Sequence, residues 1–374
     1  MNQRFIGVVA AVLAGASAAL YGSPAIADAI RDKQWHLGFL NVSEAHQIST
    51  GMGVTVAVVD TGVSKHPDLS GTILKGTDFV NRGGSGQIDV DGHGTAMAGL
   101  IAAHGKNGHG ALGIAPDAKI LPIRVLKGGR TKVDVGPAIN YAITHGAKVI
   151  NLSVGGGLTP ATLDAVDAAA KADVVVIAAA GNRPEESAVV APAFLDSVVA
   201  VSAVDRSGKI APVSVSGPEI DISAPGQDME STYKDGDYMK NGVGTSDATA
   251  IVSGAAALLR SKYPDMTANE VVQRLESTAT DKGAPGVDDE YGHGVVNIVA
   301  ALAGGDVPVS GSSSGSSSQS STNSPTPAST VGAAPDAGPV SNATPLLFGG
   351  LVLLVLLGGF VTFLALRRKA PSGP

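Results

Sequence analysis

The stretch 242–259 restricts the fold more than any other part of the chain. Gly242-Val243-Gly244-Thr245-Ser246-Asp247 is a glycine-rich turn, and from Ala248 a run of small and apolar residues continues until Tyr263-Pro264. Glycines permit a close-approaching loop because they lack a Cβ and tolerate φ > 0. The proline then stops what precedes it. A helix that is apolar on every side has to be buried, so the pattern predicts a long central helix with other elements packed around it. Ser246 falls at its start, where unpaired amides and the positive end of the helix dipole favour developing negative charge. Taken alone, a Thr-Ser at such a point is a helix cap.

Two other segments give Ser246 a chemical context. Val54-Thr55-Val56-Ala57-Val58-Val59 is a β-branched and apolar run, hence a buried strand, and Asp60 stands at its carboxyl end. Asp91-Gly92-His93-Gly94-Thr95 carries a glycine-flanked histidine into a second small-residue helix. Of the eight histidines, His93 and His293 lie between glycines, and only His93 stands in the Asp-Gly-His-Gly-Thr motif that opens such a helix. Asp91, two residues away, reads as a turn residue. Strand runs at Lys119–Arg124, 147–152, 174–179 and 198–204 alternate with helical stretches at 133–145, Pro160–Lys171 and 267–277. That alternation predicts an α/β fold in which a mainly parallel sheet is covered by helices on both faces. Such sheets place their sites at the carboxyl ends of strands, and Asp…His…Ser is one of the orders in which a nucleophilic trio recurs.

Asp60-Thr61-Gly62, His93-Gly94-Thr95 and Gly244-Thr245-Ser246 resemble the three signature motifs of the subtilisin-like serine proteases. The similarity extends over about 51–302 and includes Leu112-Gly113-Ile114-Ala115-Pro116 and Tyr291-Gly292-His293-Gly294-Val295-Val296-Asn297. It implies a three-layer subtilisin-like fold and serine endopeptidase activity. Ser246 would be the nucleophile, His93 its base and Asp60 the group that holds the imidazole. Asn182, at the end of Ile177-Ala178-Ala179-Ala180-Gly181-Asn182, would donate to the oxyanion together with the Ser246 amide. Ser153, Val154 and Gly155 resemble the segment that pairs with the substrate backbone. Val190 falls where the family builds its first specificity pocket and would narrow it, which predicts a small or aliphatic P1 residue. Two positions depart from the family: Asp247 replaces a usual apolar residue and Ala250 a common proline. The Asp247 charge either raises the pKa of His93 or serves the helix N-terminus, and the second reading is preferred here. No cofactor is required. Calcium is an option through Asp68 and Asn107, which match oxygen ligands in some relatives.

The ends of the chain predict its setting. Residues 1–27 have the basic-then-apolar layout of a secretory signal, closing on Ala25-Ile26-Ala27. Residues 28–50 form an N-terminal extension too short for a folded pro-domain; it holds the only tryptophan, Trp35, which is expected to pack onto the peptidase domain at 51–303. A Ser/Gly/Pro-rich linker follows at 304–344, with a typical reach of about 35 Å for a flexible chain. Residues 345–366 then form an apolar run long enough to cross a bilayer, and 367–374, beginning Arg367-Arg368-Lys369, form a cytoplasmic tail. The predicted protein is a single-pass protein of the cell membrane with an extracytoplasmic catalytic domain. A formal charge of −7 without basic clusters elsewhere excludes a nucleic-acid partner, and with no cysteine there is no thiol chemistry. This layout resembles the mycosins, membrane-anchored proteases associated with type VII secretion, which implies a protein substrate and a secretion complex as partners. A general cell-surface protease and a scaffold of a membrane complex are the alternatives.

Overall fold

Strand β1, Thr55–Asp60, is the axis of the domain. In the computed structural model, which describes residues 30–304 other than 82, 106–108, 128–129, 132–133 and 156, β1 lies inside a seven-stranded sheet. Its companions in chain order are β2 (Thr77–Asp78), β3 (Lys119–Arg124), β4 (Val149–Leu152), β5 (Val175–Ala179), β6 (Val199–Val204) and β7 (Ile222–Pro225). The spatial order is β2-β3-β1-β4-β5-β6-β7, and every pairing is parallel. The chain therefore leaves β1 to one side and returns to β4 on the other. That reversal makes the carboxyl end of β1 a topological switch point, where open sheets form their crevices.

The sheet is buried on both faces. Val56 and Val58 enter one core and Ala57 and Val59 the other, the period-two alternation of a strand with apolar layers on each side. Helices α1 (Trp35–Phe39), α2 (Val42–Ile48), α3 (His93–Ala102), α6 (Thr245–Lys262), α7 (Ala268–Ser277) and α8 (Ile298–Leu302) contribute to the first core. Helices α4 (Gly136–Thr144) and α5 (Pro160–Lys171) contribute to the second.

Helix α6 is the helix read from the glycine-rich turn, and its residues from Ala248 to Leu259 are all buried. Removing side chains such as Ile251, Val252, Leu258 and Leu259 from water stabilises the fold by about 1.5–3 kcal/mol each. Gly254 lets α6 meet the Ile114 loop: a Cβ built there would lie 2.6 Å from the Ile114 Cβ. Gly254→Ala is therefore expected to destabilise by about 1–3 kcal/mol through overpacking, read as a lowered Tm. An unchanged Tm would show that the contact relaxes freely.

The N-terminal extension is stitched to the domain. Gln34 is buried, accepting from the Leu112 amide (2.8 Å) and donating to the carbonyls of Leu112 (3.0 Å) and Glu230 (3.2 Å). The Trp35 indole donates to the Gln227 carbonyl at 3.0 Å and meets Phe39 edge-on.

Among the elements that escape the sequence reading are the short helices α1 and α8, the edge strand β2, the seventh strand β7, and an antiparallel hairpin of β8 (Gln227–Thr232) with β9 (Tyr238–Val243). The helix expected at 133–145 begins at Gly136, whose amide is taken by the Asp134 carboxylate at 2.8 Å. Among the described residues no helix is long and apolar enough to cross a membrane. The expected signal at 1–27, the linker beyond Gly304, the span at 345–366 and the tail at 367–374 lie outside the described residues.

Candidate active site

Asp60 ends β1 fully buried, and its Oδ1 accepts from the Thr61 amide at 2.7 Å. The same carboxylate receives the His93 ring: Nδ1 lies 2.8 Å from Oδ1 and 3.0 Å from Oδ2. That contact fixes the imidazole with Nδ1–H on the carboxylate and leaves Nε2 as the free nitrogen. Gly94 makes it reachable, since a Cβ there would sit 2.1 Å from the Gly62 carbonyl oxygen. The ring edge remains open to the cleft, with 39% of the side chain exposed.

Asp89 builds the turn that presents His93. It is buried and accepts from the amides of Asp91 (3.1 Å), Gly92 (2.7 Å) and Thr95 (2.9 Å), and from the Thr95 hydroxyl at 2.6 Å. The sequence reading passed over it. The available signal was turn chemistry: an Asp whose side chain can take amides two and three residues ahead.

Ser246 lies in the first turn of α6, and its hydroxyl donates to the Ser153 carbonyl at 3.4 Å. Ser153 in turn donates from Oγ to the Ser246 carbonyl at 3.0 Å, so the end of β4 and the start of α6 hold each other. Ser246, His93, Ser153, Asn182 and Val190 all line one cleft of about 360 Å³. The structure thus joins Asp60 to His93 directly and brings Ser246 to the same cleft, with its hydroxyl turned to Ser153.

Asn182 follows β5. Its Oδ1 accepts from the Thr245 amide (2.9 Å) and hydroxyl (3.2 Å), which commits the oxygen and leaves Nδ2 as the free donor. Its own amide is held by the Glu186 carboxylate at 2.9 Å, a second residue the sequence reading missed. A Cβ built on Gly244 would lie 3.5 Å from Asn182 Nδ2 and 3.7 Å from the Ser246 amide. The glycine keeps open a space bordered by both donors, which is what a tetrahedral oxyanion needs.

Val154 and Gly155 border the cleft beside Ser153, and Val190 closes in from the loop after β5. The Val190 methyls approach to 3.5 Å of a Cβ placed on Gly155 and 3.4 Å of one placed on Gly181. The valine therefore fills the slot between the two segments.

Electrostatics in the cleft favour a charged imidazole. Burial opposes the cation, yet the Asp60 charge and hydrogen bond overcome it, Asp247 and Asp89 add to them, and the His93 pKa is raised to about 9. Burial pushes the Asp247 carboxyl up to about 7, against the pull of His93. Asp247 itself stands in the first turn of α6.

Asp68, one of the two residues offered for calcium, accepts from the Ala111 amide (2.8 Å) and the Tyr238 hydroxyl (3.0 Å). The other, Asn107, lies outside the described residues. Among the described residues no group of three His, Cys, Asp or Glu side chains could hold a metal ion.

Chemistry open to such a groove is acyl transfer through an activated alcohol, and the protein is a serine endopeptidase of α/β architecture. Its relatives narrow the class. The Subtilase family (Peptidase S8) matches residues 51–294, and the chain belongs to that family. It is 41% identical over 267 residues to a thermostable alkaline protease of Halalkalibacterium halodurans, covering 70% of this chain and 72% of the relative. Among solved structures it is similar to MycP1 with its N-terminal propeptide removed (TM-score 0.66, 32% identity, 72% of this chain and 96% of that one). It is also similar to the MycP3 protease from the type VII (ESX-3) secretion system (TM-score 0.63, 33% identity, 72% and 87%). Sequence and fold together thus place the chain among the subtilases, and the MycP1 and MycP3 proteases are among the solved structures it resembles.

Proposed function

We propose that the protein is a membrane-anchored, extracytoplasmic endopeptidase of a type VII secretion complex, working through Asp60, His93 and Ser246. The observation that carries the catalytic part is the Asp60–His93 contact of 2.8 Å opening onto the cleft that holds Ser246. The Ser246 Oγ attacks the scissile carbonyl carbon as His93 Nε2 takes its proton. The oxyanion forms between Asn182 Nδ2 and the Ser246 amide. His93 then returns the proton to the leaving amine nitrogen, the C–N bond breaks, and water repeats the cycle on the acyl-enzyme. Asp60 holds the tautomer and stabilises the imidazolium. Ser153, Val154 and Gly155 pair with the substrate main chain.

The setting is supported by the layout of the ends, an apolar run at 345–366 followed by Arg367-Arg368-Lys369, and by the resemblance to MycP1 and MycP3. A protein substrate of the same secretion apparatus is the consequent partner.

Val190 makes the first specificity pocket shallow, so a small or aliphatic P1 residue is expected. A P1-varied peptide library tests both activity and preference. Cleavage after Ala, Ser or Val with Val190→Gly gaining larger P1 residues by about tenfold or more is the expected result, since one or two buried methylenes are worth about 1–3 kcal/mol. A wild-type preference for large aromatic or basic P1 residues would overturn the shallow pocket.

A further inference from the structure

Asn182 is held at both ends. Its side-chain oxygen is fixed by Thr245, whose amide (2.9 Å) and hydroxyl (3.2 Å) donate to it. Its backbone is fixed by one residue four places ahead. The Asn182 amide donates to the Glu186 carboxylate at 2.9 Å, and the Glu186 amide donates to the Asn182 carbonyl at 2.9 Å. Glu186 thus closes a ring on the peptide groups either side of the Asn182 Cα. It also borders the same cleft as Asn182 and Ser246.

The rest of the ring, Arg183, Pro184 and Glu185, is exposed. Outside it the segment is anchored by an isolated bridge, in which the Arg183 amide donates to the Val213 carbonyl at 2.7 Å and the Val215 amide to the Gly181 carbonyl at 3.3 Å. That bridge uses the peptide groups of the two neighbours; the acceptor for the Asn182 amide is Glu186. An oxyanion donor works only within about 2.7–3.1 Å of the oxygen that develops charge, and a misplacement of about 1 Å can cost about 10²-fold. A negative charge on the rim of the same cleft opposes an oxyanion, so the site uses Glu186 as an acceptor and not as an anion. The Asn182 amide is half-buried, so water can replace a lost acceptor and stability changes little. Aim is what changes.

We infer that Glu186 is a positioning residue for the reaction: by holding the backbone of Asn182 it aims Asn182 Nδ2 at the oxyanion. The inference rests on the catalytic reading above and adds a residue to it.

The test uses the full-length chain with three variants. Glu186→Ala removes the acceptor, Glu186→Asp keeps the charge and shortens the reach, and Glu186→Gln keeps the reach and drops the charge. Kinetics on a peptide with Ala at P1 are run for each, alone and combined with Asn182→Ala, and the Tm is taken throughout. Glu186→Ala and Glu186→Asp are expected to lower kcat by about tenfold, a fraction of the roughly 10²–10³ lost with a whole donor. KM should change by less than about twofold, since the interaction belongs to the transition state. Glu186→Gln should restore most of the loss. Beside Asn182→Ala, Glu186→Ala should cost nothing further, because the donor it aims is gone. A loss that persists in full beside Asn182→Ala, one carried by KM, or a Glu186→Gln no better than Glu186→Ala overturns the inference. Should Glu186→Ala fail to fold, Glu186→Asp against Glu186→Gln decides. A wild type that cleaves nothing overturns the triad reading and the inference with it, whereas an active wild type with an additive Glu186→Ala loss overturns the inference alone.

Discussion

Ser246→Ala is expected to lower kcat by on the order of 10⁶-fold, the magnitude established for subtilisin itself, with the fold intact. The two halves of that statement come from different features. Loss of the hydroxyl removes the group that the proposed mechanism joins covalently to the acyl group. Stability barely depends on it, because its one hydrogen bond, to the Ser153 carbonyl, is long at 3.4 Å. Replacing a weakly engaged hydroxyl by a methyl-sized side chain falls in the range of about ±0.5 kcal/mol. Active-site labelling with a fluorophosphonate should vanish while the Tm stays. Residual turnover of about 10³–10⁴ over water is expected to persist through the oxyanion donors. The same variant separates enzyme from scaffold in cells. If it restores every phenotype of a full deletion, the scaffold reading replaces the enzymatic one.

The sequence disclosed the site better than its supports, for a physical reason. Asp60, His93 and Ser246 are legible because each sits on a short glycine-flanked motif whose backbone demands are local. Helix α5 is legible to its first residue because Thr159 caps it and Pro160 opens it: the Thr159 hydroxyl accepts from the Thr162 amide at 3.0 Å. Hairpin β8–β9 is not, since its buried face is polar. Ser231 and Thr232 are fully buried yet donate to the carbonyls of Ala96 and Thr95 at 2.7 Å each, satisfying groups on α3 that lie more than a hundred residues earlier. A run such as Gln227-Asp228-Met229-Glu230-Ser231-Thr232 reads as a loop until its partner is known. Asp89 was hidden for a related reason: it supports His93 through three backbone amides, and amides leave no trace in residue type.

Asp60→Asn is expected to cost about 10⁴-fold in kcat, and the hydrogen bonds explain why an isosteric change does so much. Asp60 Oδ1 accepts from the Thr61 amide at 2.7 Å, and both oxygens face His93 Nδ1. An asparagine that keeps its oxygen on the Thr61 amide puts its NH2 at the Oδ2 position, 3.0 Å from His93 Nδ1, so a donor replaces one of the two acceptors and the negative charge is lost. The Nδ1–H tautomer then loses its preference to the one with the proton on Nε2, which cannot take the proton of Ser246. Asp60 is the main group holding the His93 pKa up, so its neutralisation moves the acid limb to lower pH while the plateau collapses. Measuring kcat/KM from pH 5 to 11 for wild type and Asp60→Asn reads both effects, and a neutral-pH rate untouched by Asp60→Asn would remove the Asp60–His93 pair from the mechanism.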